Sequence, residues 1–256
     1  GHSSDMKKIY RLKKKYKFKI IEDSCHALGG KYNKYKIGSC KYSDISTFSF
    51  HPVKPITTGE GGMITTNNKK MYEKLLIFRT HGIIKDQRKF YNKKNAFDKK
   101  IVNRWYYEMI DLGYNFRLTD IQSALGLSQL KRLNEFTFKR NKIAKKYNEA
   151  FKNNKNITIP KIKENIDHAY HLYTLLFNFK KIGKTRNEIM TELFEHKVGS
   201  QVLYIPIYEQ PYYNKKYKFK SKSFKNSQNY YNHALSIPIF PDLKLNEQNL
   251  SLIHIW

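Results

Sequence analysis

The sequence predicts an α/β protein, a mostly parallel sheet with flanking helices followed by a smaller C-terminal α+β domain. Three observations carry that reading. Lys7 to Tyr16 reads as a helix and runs into the apolar Phe18-Lys19-Ile20-Ile21, which ends on Glu22-Asp23; helix, apolar strand and acidic strand end in succession mark a unit of parallel sheet. Asp44 to Phe50, rich in β-branched and aromatic residues, is a second strand, and a proline-bracketed loop follows it at once. Pro160 to Ile166 looks like a crossing into a second domain, which gives expected domains of 1–156 and 157–256.

Taken in order, the first helix has a partial apolar face of Met6, Ile9, Tyr10 and Leu12. Beyond the second strand, Pro52 and Pro55 bracket Lys54, deny the segment a regular helix and stiffen its backbone. Gly59 to Gly62 supplies a turn, Met63 to Thr66 a further strand, and Asn67 or Asn68 caps a helix that reaches Arg79 and is closed by Gly82. Residues 83–107 are polar, Lys-rich and patternless, and read as a long surface loop. Thr119-Asp120-Ile121-Gln122 is a capping box opening a long helix, with Ile121, Leu125, Leu130 and Leu133 on one side and a charged continuation to Asn156. In the C-terminal part, Tyr170 to Phe179 reads as a strand, Thr185 to Glu188 as a second capping box with a helix ending at Gly199, and Gln201 to Tyr208 as another strand.

Composition narrows the function. The 256 residues are 40% hydrophobic, enough for a packed core, and no apolar run approaches the roughly 20 residues of a membrane helix. Cys25 and Cys40 have neither disulfide-framework nor metal-ligand spacing and read as reduced cytosolic thiols. The net charge of +28 invites a nucleic-acid partner. The lysines are spread through the chain, however, and no RNP-type aromatic pattern or Cys/His finger accompanies them. A solvated basic surface is the plainer reading, with a positive field that an anionic ligand could use.

One set of residues carries chemistry. Asp23 ends one strand, Ser49 ends the next, Lys54 follows on the stiff loop, and glycines follow that. Ligands of α/β sheets sit beyond the carboxyl ends of the strands. Pyridoxal phosphate needs a lysine for its aldehyde, a carboxylate for its pyridine nitrogen and hydroxyls or N–H groups for its phosphate. Each residue also has a plainer role: Asp23 as a helix cap, His26 as a core histidine, Ser49 as a sheet hydroxyl and Asn115 as a turn residue. His51 and His81 read as structural, and Glu60 has no assigned role.

The stretches IIEDSCHALGGKY, SDISTFSFHPVKPITTGEGGMITT, LIFRTHGI and GYNFRLTDIQSALGLSQL resemble the DegT/DnrJ/StrS family of sugar aminotransferases, most densely over residues 18–133. HPVKPITTGEGG is most similar to the members that aminate C4 of UDP-4-keto-6-deoxy-N-acetylaltrosamine on the route to pseudaminic acid. The resemblance implies a fold-type I pyridoxal-phosphate transferase, with Lys54 as the Schiff-base lysine and proton shuttle. It puts Asp23 at the pyridine nitrogen, His26 near the ring hydroxyl and Ser49 at the phosphate. Asn115 reaches the phosphate or the substrate from the other subunit of a homodimer, with Ser49 also near substrate, and Gln201, Val202, Leu203 and Tyr204 line the substrate. Leu203 stands where relatives usually carry His. Glutamate is the implied amino donor and a nucleotide-linked keto sugar the acceptor, in a cytoplasmic enzyme with no membrane partner. Relatives have a further N-terminal portion, so the expectation is a fragment that alone binds cofactor poorly or not at all. Two other readings remain: a family dehydratase, in which His replaces the lysine found here at Lys54, and a basic non-enzymatic or nucleic-acid-binding protein.

Overall fold

Caps and strand composition set most element ends. In the computed structural model, which describes residues 1–255 (of 221 and 222 the backbone only), the Lys8 N–H donates to the Asp5 carboxylate at 3.3 Å and opens helix α1, Met6–Tyr16. Trp256, the last residue of the expected C-terminal domain, lies outside the described residues. The chain continues through strands β1 (Ile21–Asp23), β2 (Lys31–Tyr32), β3 (Tyr35–Lys36), β4 (Ile45–Ser49) and β5 (Gly62–Thr65) to helix α2 (Lys69–Arg79). Strand β6 (Ile83–Ile84), helix α3 (Lys93–Ala96), strands β7 (Phe97–Asp98), β8 (Ile101–Val102) and β9 (Glu108–Met109), and helices α4 (Asp120–Lys131) and α5 (Leu133–Phe151) come next. Strands β10 (Ile157–Thr158), β11 (Ile166–Asp167) and β12 (Tyr173–Phe177) lead to helices α6 (Phe179–Ile182), α7 (Arg186–Glu195), α8 (Pro211–Tyr217) and α9 (Lys225–His233). Strand β13 (Ala234–Ile237) and helix α10 (Leu245–Ile253) complete the series.

The chain packs as two compact units, one of Asp5–Asp23 with Gly38–Gln129, the other of Gly1–Ser4, Ser24–Ile37 and Leu130 onward. The division therefore falls between Gln129 and Leu130 rather than at 156/157. The reason is visible in α5: Ile143, Ala144, Tyr147 and Phe151 are buried in the same cluster as β12 and β13, so this helix belongs to the core that follows it.

In the first unit the sheet order is β1-β4-β5, with β1 parallel and β5 antiparallel to β4. The first strand is assigned at Ile21–Asp23, later than the expected Phe18–Ile21, because Ile20 is held before it: its N–H donates to the Asp44 carboxylate at 2.8 Å. Burial pushes the Asp44 carboxyl up, but the Lys13 ammonium and the Ile20 N–H outweigh it and hold the group below the ordinary range. The expected patternless loop at 83–107 is in fact ordered. Ile84, Phe90 and Ala96 form a small core of their own, and Glu108 gathers the Tyr91 and Asn92 N–H groups, each at 2.7 Å. These contacts are non-local in sequence, so no periodicity announces them.

The second unit holds the larger core, around the antiparallel sheet β10-β12-β13. The capping box at Thr185 forms as expected: the Glu188 N–H donates to Thr185 Oγ1 at 3.2 Å and the Thr185 N–H to Glu188 Oε2 at 2.6 Å, although the helix ends at Glu195, short of Gly199. Two expected elements are shorter or different. Residues 201–208 give one bridge, Gln201 to Ser236, and a 3-10 turn at Ile207–Glu209 instead of a strand; Pro206 removes a ladder donor there. The helix opened by Thr119 breaks at Arg132, and α5 ends at Phe151. In α4, Ile121 and Leu130 are exposed, so the apolar spacing marks a face without a core partner among the described residues.

Candidate functional site

The first unit brings Asp23 and Ser49 to one end of one sheet face. β1 and β4 run parallel with Asp23 opposite Thr47. Side chains alternate along a strand, and Ser46 and Phe48 are the buried ones. Thr47 and Ser49 therefore look out from the other face together with the exposed Asp23. Both residues stand at the carboxyl ends of their strands, where ligands of parallel sheets bind.

Lys54 rides a closed loop directly beyond β4. The neck is fastened twice, by Phe50 N–H to Gly61 O at 2.9 Å and by Thr58 N–H to Phe50 O at 3.0 Å. Ile56, 3% exposed, and Thr58 pin the loop inward. Within it the Lys54 N–H donates to His51 O at 2.9 Å, and the Lys54 side chain is half-buried. Glycine is required at 61: at φ +154 an added Cβ would lie 2.4 Å from Thr58 Oγ1. His51 Nε2 lies 3.9 Å from Glu60 Oε1, an exposed pair at the loop's rim.

Asn115 belongs to the same unit. It bridges Thr80, and its neighbours hold the segment down through Tyr114 N–H to Phe78 O at 3.0 Å and Phe116 N–H to Arg79 O at 3.0 Å. The close approach that allows this needs Gly82, at φ +73, where an added Cβ would sit 1.7 Å from Asp111 O. The Asn115 side chain is exposed.

His26 and Gln201-Val202-Leu203-Tyr204 lie in the second unit. His26 is half-buried and meets the His171 ring edge-on, centroids 4.3 Å apart. Gln201 and Tyr204 are exposed, Val202 packs against the main core, and Leu203 is half-buried. Sequence reasoning missed Thr47, which the parallel register places on the open face opposite Asp23. It also missed the second task of Gln122. Besides accepting from the Thr119 N–H at 3.0 Å, its side-chain amide donates to Glu60 O at 3.0 Å and ties α4 to the Lys54 loop.

A carboxylate, a hydroxyl and a primary amine on one strand-end set match the pyridine nitrogen, phosphate and aldehyde of pyridoxal phosphate in chemical type. Residues 1–251 match the model of the DegT/DnrJ/EryC1/StrS aminotransferase family, and the chain belongs to that family, whose members depend on pyridoxal phosphate. The chain is 38% identical, over 96% of its length and 60% of the relative's, to a UDP-4-amino-4,6-dideoxy-N-acetyl-beta-L-altrosamine transaminase of Campylobacter jejuni. It is 36% identical to the spore coat polysaccharide biosynthesis protein SpsC of Bacillus subtilis, over 95% of this chain and 60% of that protein. The solved structure of Helicobacter pylori PseC, an aminotransferase involved in the biosynthesis of pseudaminic acid, superimposes with a TM-score of 0.86 at 32% identity, over 99% of this chain and 62% of that one. The fold is thus the α/β fold type I of these transferases, and the chain spans about 60% of the length of the curated relatives it matches.

Proposed function

We propose that the protein is a cytoplasmic, homodimeric aminotransferase that moves an amino group from glutamate to C4 of a UDP-linked 4-keto-6-deoxy amino sugar, in pseudaminic acid synthesis. The observation that carries the reading is the shared face of Asp23 and Ser49 at the ends of two parallel strands, with Lys54 five residues on in a fastened loop. The names of the Campylobacter and Helicobacter relatives support the sugar.

When bound, pyridoxal phosphate supplies an electron sink for the carbanion formed at the amino-bearing carbon. The Asp23 carboxylate would hold a proton at the pyridine nitrogen, and Ser49 Oγ would donate to the phosphate. Lys54 Nζ would anchor the cofactor through its aldehyde and, when free, would move a proton at the reacting carbon. The closed loop limits where that amine can travel. Lys54 favours transamination over the family's dehydrations. In this reading His26 stands by the ring hydroxyl, Asn115 serves the neighbouring subunit's site, and Gln201, Val202, Leu203 and Tyr204 line the sugar, with Leu203 in place of the usual His altering sugar preference.

The test is borohydride reduction of the protein, expressed with the sequence that flanks it in its reading frame, after incubation with pyridoxal phosphate. A pyridoxyl group confined to the Lys54 peptide and absent from Lys54→Ala is expected. Label scattered over surface lysines would refute the assignment.

A further inference from the structure

Helix α1 has an outward face that the proposed chemistry does not use. Between Lys7 and Lys19 eight of thirteen residues are Lys or Arg and none is acidic, against 49 Lys and Arg in all 256 residues. The density here therefore exceeds the general lysine bias of the chain. Its inward stripe is Met6, Ile9, Tyr10 and Lys13, at the i, i+3, i+4, i+7 spacing of a packed helix face. Lys13 is neutralised there by Asp44 at 2.6 Å, and Lys19 approaches the same carboxylate at 3.4 Å. Arg11, Lys14, Lys15 and Lys17 have no carboxylate within ion-pair distance among the described residues. Along the outer rim lie Leu12, expected inward, and Phe18, expected in a strand, together with Tyr16: they are 49%, 39% and 63% exposed.

We propose that this face docks the protein on an anionic lipid surface, with the cations at the headgroup phosphates and Leu12, Tyr16 and Phe18 seated at the boundary with the acyl chains. Cationic residues beside exposed aromatic and aliphatic ones are the composition of interfacial helices, and each cation near an anionic leaflet adds to the attraction. The apolar rim favours lipid over nucleic acid, because Leu12 gains nothing from a phosphodiester backbone. No helix among the described residues is long and apolar enough to cross a membrane, so the contact is peripheral.

The experiment is co-sedimentation of the protein, with its flanking sequence, on vesicles of equal phosphatidylglycerol and phosphatidylcholine and on vesicles of phosphatidylcholine alone. Uptake by the anionic vesicles only is expected, fading as salt rises from about 0.1 M to about 0.5 M. Arg11→Ala with Lys15→Ala lowers the partition coefficient roughly 30-fold. Leu12→Ala with Tyr16→Ala lowers it several-fold with the salt dependence unchanged, and the control pair Lys152→Ala with Lys155→Ala leaves it unaltered. All six positions are exposed and half-exposed surface, so unchanged melting curves accompany these variants. Equal uptake by neutral vesicles, or equal loss in the control pair, overturns the proposal. So does binding to duplex DNA that depends on Arg11 and Lys15 but not on Leu12 and Tyr16.

Discussion

The two principal sheets differ in what covers them. In the second unit every residue of β13 is buried, and Tyr173, Leu175 and Phe177 of β12 alternate inward against Tyr147, Phe151 and Leu193, all of them 1% exposed or less. In the first unit one face of β1-β4-β5 is packed by Ser46 and Phe48, while the other shows Asp23, Thr47 and Ser49 beside Ile21 at 65% exposed and Ile64 at 47%. One sheet puts its apolar area into cohesion. The other leaves Asp23, Thr47 and Ser49 in the open on one face of the first unit.

The largest effect that could break this comparison lies at Lys54. Lys54→Ala is expected to abolish the borohydride label and to lower transamination by about 10²–10⁴-fold, the usual range for losing a positioned proton carrier, with the melting temperature unchanged. The paired stability test sets Phe177→Ala against Ile64→Ala. Phe177 is fully enclosed, so truncation leaves a cavity and costs about 3–5 kcal/mol in denaturant unfolding. Ile64 is half out of the fold already, and its truncation stays within about 0.5 kcal/mol. A large cost at Ile64 would mean that the open face is covered in the working protein.

These differences explain what the sequence disclosed. Helices α2 and α7 were legible because their starts are local chemistry, the amide of Asn68 accepting from the Met71 N–H at 3.0 Å and the box at Thr185, and α1 was legible from its partial apolar face. Asp23 and Ser49 share a face through the parallel pairing of β1 with β4, a long-range contact, whereas Lys54 follows Ser49 by five residues on a fastened loop. The β6-to-β9 excursion was not legible, since Glu108 reaches 16 and 17 residues back to the Asn92 and Tyr91 N–H groups. The leucines of α4 misled in the opposite direction, because periodicity reports an apolar face and not whether the chain itself covers it.

Below the core effect stands a pH dependence confined to the second unit. Burial pushes the His168 imidazole down to about 3, and the Tyr170 N–H donates to its Nδ1 at 2.7 Å, which requires a lone pair on that nitrogen. The unfolded chain protonates near 6.5 and the folded one far lower, so the unfolded state binds more protons between these values. Stability is therefore full above about pH 6.5 and falls as pH drops towards 3. Lowering the pH from 7 to 5 should cost about 2 kcal/mol at this site, read as the fall in unfolding free energy that His168→Gln abolishes. A variant with the parent's slope would assign the acid sensitivity to other groups.

The smallest effects compare the two capping boxes. Thr185→Ala removes the acceptor of the Glu188 N–H and should cost about 1 kcal/mol, with the Lys54 label untouched. The box at Thr119 is made of the same bonds, but its Gln122 amide also holds Glu60 O at 3.0 Å. Gln122→Leu should therefore cost a similar amount, about 1 kcal/mol, and in addition slow or lower reductive labelling of Lys54, because the loop loses a tether at its rim. Equal stability losses with unequal labelling would separate a cap that only starts a helix from one that also fixes the lysine loop. Equal labelling would leave the neck bonds at Phe50 and Thr58 to hold the loop by themselves.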